Sequence, residues 1–370
     1  MKTGRRMMGG DKRSRLFLAL VTSWVVPAGR LAELMRRGAL GGIEDLSLHR
    51  IAAKLGLDGE SRSRLEAAYE EVPGLLAALG REGAKVLWLG GEEYPELLSR
   101  IHVPPPALFV RGELATRDGV AVAIVGSRRA SISGMRLASD LASGLALRGV
   151  TVVSGLARGI DRAAHEGALR VGGRTIAVLG SGIDLIYPPE NAGLALEASR
   201  NGAVVSEHGP GVEARPWHFP VRNRIISGLA VGTVVVEAAG ASGALTTARY
   251  ALEQDRSVFA VPGKPGDPRS RGVNRLLKDG ARLVETVDDI LDEIRPQLEL
   301  PLESETGASL QAELSELESR LIDLLSDVPT HVDEISGSIG LATGELLGLL
   351  TTMETKGVVT SLPGKFYVRA

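Results

Sequence analysis

Eight cationic side chains gather where apolar runs of the chain end. Arg128, Arg129, Arg158, Arg222, Arg224, Lys264, Arg269 and Arg271 fall in or beside five glycine-rich stretches. These are "GSRRAS" (126–131), "SGLARGID" (154–161), "GSGIDLIYPPEN" (180–191), "EAAGASGAL" (237–245) and "VPGKPGDPRSRG" (261–272). Glycine lets backbone amides approach an anion, and guanidinium groups pair with phosphate oxygens in a fork. A rim of them suits several phosphates in a row better than a single nucleotide. Aromatic residues enter in "RPWHFPVRNR" (215–224), where Trp217 and Phe219 are interleaved with Arg215, Arg222 and Arg224. Base stacking on an aromatic ring beside a charged track holds a single strand without reading its sequence. The stretch "FPVRNRIISGL" (219–229) therefore poses a choice. Its arginines either face water at an ordinary helix start, or wait with Phe219 for something flat and anionic.

Other groups could do different chemistry. Asp161 and His165 are four residues apart on one expected helix, and Glu207, His208 and Glu237 stand at strand ends, as a metal-dependent hydrolase would need. Against this, Asp161 opens a helix, where capping is its default role, and His165 reads as a packing residue. A dinucleotide site fails on spacing: Arg128 stands where the second glycine of G-x-G-x-x-G is required, and Leu185 replaces the third in "GSGIDL". "VPGKP" is no P-loop, because Val258 occupies the first glycine position. There is no cysteine, which removes disulfides, thiol nucleophiles and cysteine metal sites and fits a reducing compartment. No catalytic residue, metal or cofactor is expected.

The elements that must position these loops follow from periodicity. Seven nearly continuous apolar runs, "VAVAIVGS", "GVTVVSG", "RTIAVLGSG", "GAVVSE", "GTVVVEAA", "RSVFAVPG" and "ARLVE", alternate with helical stretches. This predicts a doubly wound α/β domain whose mostly parallel sheet is covered on both faces. The chain of 370 residues has room for two or three domains. A basic flexible tail is expected over 1–15, a small helical (SAM-like) domain over 16–80 and the α/β domain over 81–292. A Glu-, Ser- and Pro-rich linker over 293–316 and a winged-helix domain over 317–370 complete it. The basic residues before "LFLALVTSWVVPA" mimic a secretory signal, but the run continues into "GRLAELMRRGAL" at helical spacing without a small-residue cleavage site, so an amphipathic first helix is expected. No run approaches the ~20 apolar residues of a membrane span. A net charge of −2 means that any polyanion site is a local one.

The stretches "AIVGSRRAS", "VVSGLARGIDRAAHEGAL", "AVLGSGIDLIYPPEN", "RPWHFPVRNRIISGL", "VVVEAAGASGALTTARYALEQ" and "VFAVPGKPGDPRSRGVNRLLKDGARLV" resemble, in order and spacing, the DNA-processing protein A (DprA, or Smf) family over roughly 105–290. The resemblance implies an extended Rossmann-like domain that binds single-stranded DNA, forms a homodimer in the cytoplasm and loads the RecA recombinase during natural transformation. It places DNA contacts at Arg128 of the Gly126-Ser127-Arg128 loop, Phe219, Arg222, Asn223, Arg224, Ser242 and Gly243, with Phe219 stacking on a base; the strand-end Arg158 is expected to join them. It places the dimer surface near Leu276, Leu277 and Leu283. Two departures matter. The N-terminal helices lack the G-I-G hairpin turn of helix-hairpin-helix proteins, which puts an independent DNA contact there in doubt. From residue 307 nine acids stand against four bases, and "TGELLGLLTTMETKG" offers no cation before Lys356, so the winged helix is expected to meet protein. The alternative class is a phosphoribohydrolase-type enzyme with Glu237 as acid/base, but such a site wants P-G-G-x-G-T where this chain has "EAAGASGALTTA".

Overall fold

The computed structural model describes residues 12–240, 242–299, 321, 324–325, 330–339, 341, 343–355, 359–362 and 364–369. The chain divides into two compact units, Met1–Leu302 and Glu303–Ala370.

Four helices open the first unit: α1 (Lys12–Ser23), α2 (Ala28–Arg36), α3 (Leu48–Leu55) and α4 (Gly59–Arg81). The apolar run at 16–20 is the buried heart of α1, each side chain at most 3% exposed. Residues 12–15, expected within the basic tail, are helical, and Arg15 lies 4.1 Å over the Tyr69 ring; residues 1–11 lie outside the described residues. These helices do not keep a core to themselves. Leu16, Leu20, Leu65, Val72 and Leu79 pack in one cluster with Phe109, Ala177, Leu179 and Val204 of the sheet. The helical domain is thus seated on the α/β domain within one compact unit.

The sheet contains β1 (Ala84–Trp88), β2 (Ala107–Gly112), β3 (Ala121–Gly126), β4 (Thr151–Ser154), β5 (Thr175–Leu179), β6 (Gly202–Ser206), β7 (Gly232–Val236), β8 (Ser257–Ala260) and β9 (Arg282–Leu283). All seven apolar runs became strands, β3 to β9. The order is β1-β2-β6-β5-β4-β3-β7-β8-β9. Only the β1–β2 and β2–β6 pairs are antiparallel. Successive side chains of a strand point to opposite faces. In β3, Ala121, Ala123 and Val125 enter one cluster while Val122 and Ile124 enter another. Both faces are buried, which is why the run is continuously apolar.

The covering helices are α5 (Glu96–Ser99), α6 (Ile132–Leu147), α7 (Ile160–Arg170), α8 (Ala192–Arg200), α9 (His218–Gly228), α10 (Gly243–Glu253), α11 (Arg271–Lys278) and α12 (Val287–Glu299). Helix α12 runs into the stretch expected as a linker, so residues 293–299 are helical; the rest of that stretch lies outside the described residues.

The second unit holds α13 (Val332–Ile339), α14 (Thr343–Thr355), and β10 (Thr330–His331), β11 (Val359–Leu362) and β12 (Phe366–Arg369), ordered β10-β12-β11. Val332, Ile335, Leu346, Leu350, Met353, Val359 and Tyr367 share its core. This is the winged-helix arrangement, with α14 in the place of a recognition helix. Lys356 lies outside the described residues.

Candidate nucleic-acid interface

The chain order reverses at β3, with β4, β5 and β6 on one side and β7, β8 and β9 on the other. In open α/β sheets ligands bind at such a switch point, beyond the carboxyl ends of the strands. The loop leaving β3 is held tightly. A Cβ on Gly126 would lie 1.9 Å from the Val236 carbonyl oxygen, so β3 can approach β7 there only as glycine. Gly159 has φ +75°, and its missing Cβ would lie 2.2 Å from the Ser127 carbonyl oxygen. That carbonyl accepts the Ile160 N–H at 3.2 Å. The backbone of Gly126 and Ser127 is therefore fixed, and it presents Arg128 to solvent.

The Arg128 guanidinium carbon lies 5.1 Å from the centroid of the Phe219 ring. Phe219 is half-buried and packs over Gly180, where a Cβ would meet the ring at 3.0 Å. Tyr187, 45% exposed, approaches it with centroids 5.5 Å apart at 44°. An exposed cation, a part-exposed ring and a second ring thus converge from the loops after β3 and β5 and the first turn of α9. Sequence reasoning missed Tyr187; its signal was an aromatic within "GSGIDLIYPPEN", a stretch already assigned to the rim.

Arg222, Asn223 and Arg224, expected to line the groove, do not join them at the surface. All three are buried on the inner face of α9. Arg222 donates through Nη1 to the Gly155 carbonyl at 2.8 Å and to the Val178 carbonyl, and through Nε to Asn223 at 3.2 Å. Burial pulls its guanidinium down to about 10, with Asp161 opposing. Arg224 bonds the Glu207 carboxylate at 2.5 Å and the carbonyls of Val103 and Val221. Asn223 donates to the Gly243 carbonyl at 3.1 Å. The arginines do not face water at the helix start. A buried guanidinium needs acceptors, and strand-end carbonyls supply them. The three side chains clamp α9 to the ends of β4 and β5 and to α10, and so aim Phe219.

The remaining expected residues are dispersed around this centre. Arg158 is exposed and paired with Glu190 at 2.5 Å, which raises its affinity for its proton. Ser242 caps α10, its hydroxyl accepting the Ala244 N–H at 3.3 Å, and Gly243 beside it is exposed. Arg269 pairs with Asp267 at 2.8 Å, while Lys264 and Arg271 are exposed. Leu283 is half exposed in β9, the outermost strand of the sheet, whereas Leu276 and Leu277 are partly packed against the core.

The groups of the hydrolase reading are committed elsewhere. The Glu237 carboxylate accepts the Ser131 N–H at 2.8 Å and its hydroxyl, at the N-terminus of α6. Gly134 leaves the room, since a Cβ there would meet that carboxylate at 2.7 Å. The chain's own anion thus occupies the helix end where a nucleotide phosphate would bind. Asp161 is buried, and burial pushes its carboxyl up against the pull of Arg222. Among the described residues no three His, Asp or Glu converge to hold a metal ion.

His165 is fully buried. The Thr175 hydroxyl donates to the Val152 carbonyl at 2.8 Å, so the His165 Nδ1 at 2.6 Å carries the proton it gives to Thr175. Burial lowers His165 to about 3 and His208 to about 4. Both rings stay neutral in the folded chain while unfolded histidine protonates near 6.5. The contribution of these two rings to stability is therefore complete above pH ~6.5 and is lost as pH drops towards 4, because the unfolded state binds the extra protons. Urea midpoints measured at pH 7.5, 6.5 and 5.5 should decline in that order. His165→Asn, which keeps a donor for Thr175, should flatten the decline.

Residues 85–295 match the protein family described as DNA recombination-mediator protein A, and residues 305–365 match the DprA winged helix domain. The chain belongs to the DprA/Smf family. It is 42% identical over 282 residues to protein Smf of Escherichia coli, covering 75% of each chain. It is 34% identical over 361 residues to a putative DprA of Mycobacterium tuberculosis, covering 92% of this chain and 91% of that one. Among solved structures, DprA of Streptococcus pneumoniae aligns with TM-score 0.65 and 36% identity, covering 77% of this chain and 99% of that one. DprA of Helicobacter pylori, whose structure addresses a single-stranded DNA binding mode, aligns with TM-score 0.52 and 28% identity, covering 58% of this chain and 96% of that one. The DprA/Smf family is one of DNA-processing recombination mediators, and both of its domains are present in this chain.

Proposed function

We propose that the protein binds single-stranded DNA across the carboxyl ends of the sheet strands, without sequence preference and without catalysis or cofactor. The observation that carries this is the Arg128–Phe219 pair at the switch point, an exposed cation 5.1 Å from the centroid of a part-exposed ring. Phosphate charge goes to Arg128, with Arg129 and Arg158 beside it, and a base stacks on Phe219 against Tyr187. The exposed N-terminus of α10 at Ser242 and Gly243 adds backbone N–H groups. The Helicobacter pylori relative, whose structure addresses a single-stranded DNA binding mode, supports the choice of single-stranded DNA. The role is that of a cytoplasmic recombination mediator which protects incoming DNA and loads RecA recombinase in natural transformation. No helix among the described residues is long and apolar enough to cross a membrane. The winged-helix unit, whose α14 lacks basic side chains, meets protein in this scheme. Gel mobility of labelled oligo-dT beside a nucleotide-hydrolysis assay tests the reading: a shifted band without hydrolysis is expected, and hydrolysis without a shift would refute it.

Assembly belongs to the same proposal. Among the described residues strand β9 pairs only with β8, and an open edge invites a second copy. The exposed Leu283 is placed in a homodimer interface, with Leu276 and Leu277 behind it. Leu283→Asp should give a folded monomer in sedimentation velocity; a persistent dimer would put the interface elsewhere.

A further inference from the structure

Trp217 is 60% exposed at the start of α9, and Val221, one turn later on the same face, is 49% exposed. A tryptophan left in water has no packing reason to be there, and large apolar surface of this kind marks a binding face. The Arg215 guanidinium carbon lies 5.5 Å from its ring. Behind Trp217 stands a row of rings. His218 meets it edge-on at 5.9 Å, stacks on His208 at 4.3 Å, and His208 in turn lies 5.3 Å from Trp24. His218 also places Nδ1 3.1 Å from the Gly180 carbonyl oxygen, and Gly180 is the residue on which Phe219 packs. Trp217 and Phe219 are therefore fixed relative to one another through a single turn, each with an arginine at its face.

We propose that Trp217 is a second base-stacking platform, holding a base beside the one on Phe219, with Arg215 pairing with an adjacent phosphate. His218 acts as the positioning residue between the two platforms. The track then continues from the switch point along the first turn of α9 towards the α1–α2 turn at Trp24. This rests on the single-stranded DNA reading above and extends it by named residues.

The test compares wild type with Trp217→Ala, Trp217→Phe and Arg215→Ala on oligo-dT and on an abasic oligomer of equal length. Stacked bases contribute ~1–3 kcal/mol each, so Trp217→Ala should weaken oligo-dT binding about 5- to 140-fold. Trp217→Phe should restore most of the loss. On the abasic strand, wild type and Trp217→Ala should bind alike, which a merely structural role for Trp217 would not produce. Quenching of intrinsic fluorescence by oligo-dT should diminish in Trp217→Ala, and Arg215→Ala should lower the salt slope. Equal affinity of wild type and Trp217→Ala for oligo-dT would overturn the second platform alone and leave Trp217 to a protein partner. No binding of oligo-dT by wild type would overturn both it and the reading beneath it.

Discussion

Arg224→Ala lowers the stability of the Met1–Leu302 unit by about 3–5 kcal/mol, because it leaves the Glu207 carboxylate buried without its partner. The two side chains are 8% and 5% exposed and 2.5 Å apart, so solvent cannot replace the missing guanidinium. The substitution also strips an acceptor pairing from the Val103 carbonyl at the approach to β2. Urea unfolding followed by circular dichroism would show the midpoint of the main transition falling sharply. Replacing both members, Arg224→Met with Glu207→Leu, should recover much of the loss, since the unpaired charge is then gone. An arginine that served DNA from the surface would behave in the opposite way: stability within about 0.5 kcal/mol of wild type, with affinity reduced. That pattern would return Arg224 to the groove.

Phe219→Ala weakens binding of oligo-dT by ~1–3 kcal/mol while the log–log salt slope stays nearly unchanged, because stacking releases no counterions. Arg128→Ala has the complementary signature, a smaller slope, since one ionic contact is lost. The ring is only half-buried, and its neighbours Tyr187 and Gly180 belong to one loop, so its removal opens no sealed cavity. Circular dichroism of Phe219→Ala should match wild type. A variant that unfolds while its folded fraction binds normally would make Phe219 a core residue.

The sheet was legible because strands buried on both faces must be continuously apolar, and seven such runs leave little choice. The rim was legible in part, because glycines at strand ends announce close backbone approach. The burial of Arg222 and Arg224 was not legible for a physical reason: sequence displays charge but not the acceptors around it. The carbonyls of Gly155, Val178 and Val103 that enclose them come from segments 44 to 121 residues distant. Glu237 was hidden similarly, since its partner Ser131 is 106 residues away. The seating of α1 and α4 on β2, β5 and β6 was also invisible. An amphipathic helix shows that it has an apolar face without showing what covers it.

A strand-end rim that holds a single strand by charge and stacking must distinguish it from a duplex. Affinity for oligo-dT and for a duplex of equal length, each measured across a salt series, tests it most directly. The single strand should bind more tightly at every salt concentration, with a slope of about −0.7 per phosphate neutralised. The preference for it should shrink in Phe219→Ala, because paired bases offer no free face to stack. Equal affinity for the two forms, or a response flat in salt, would contradict it.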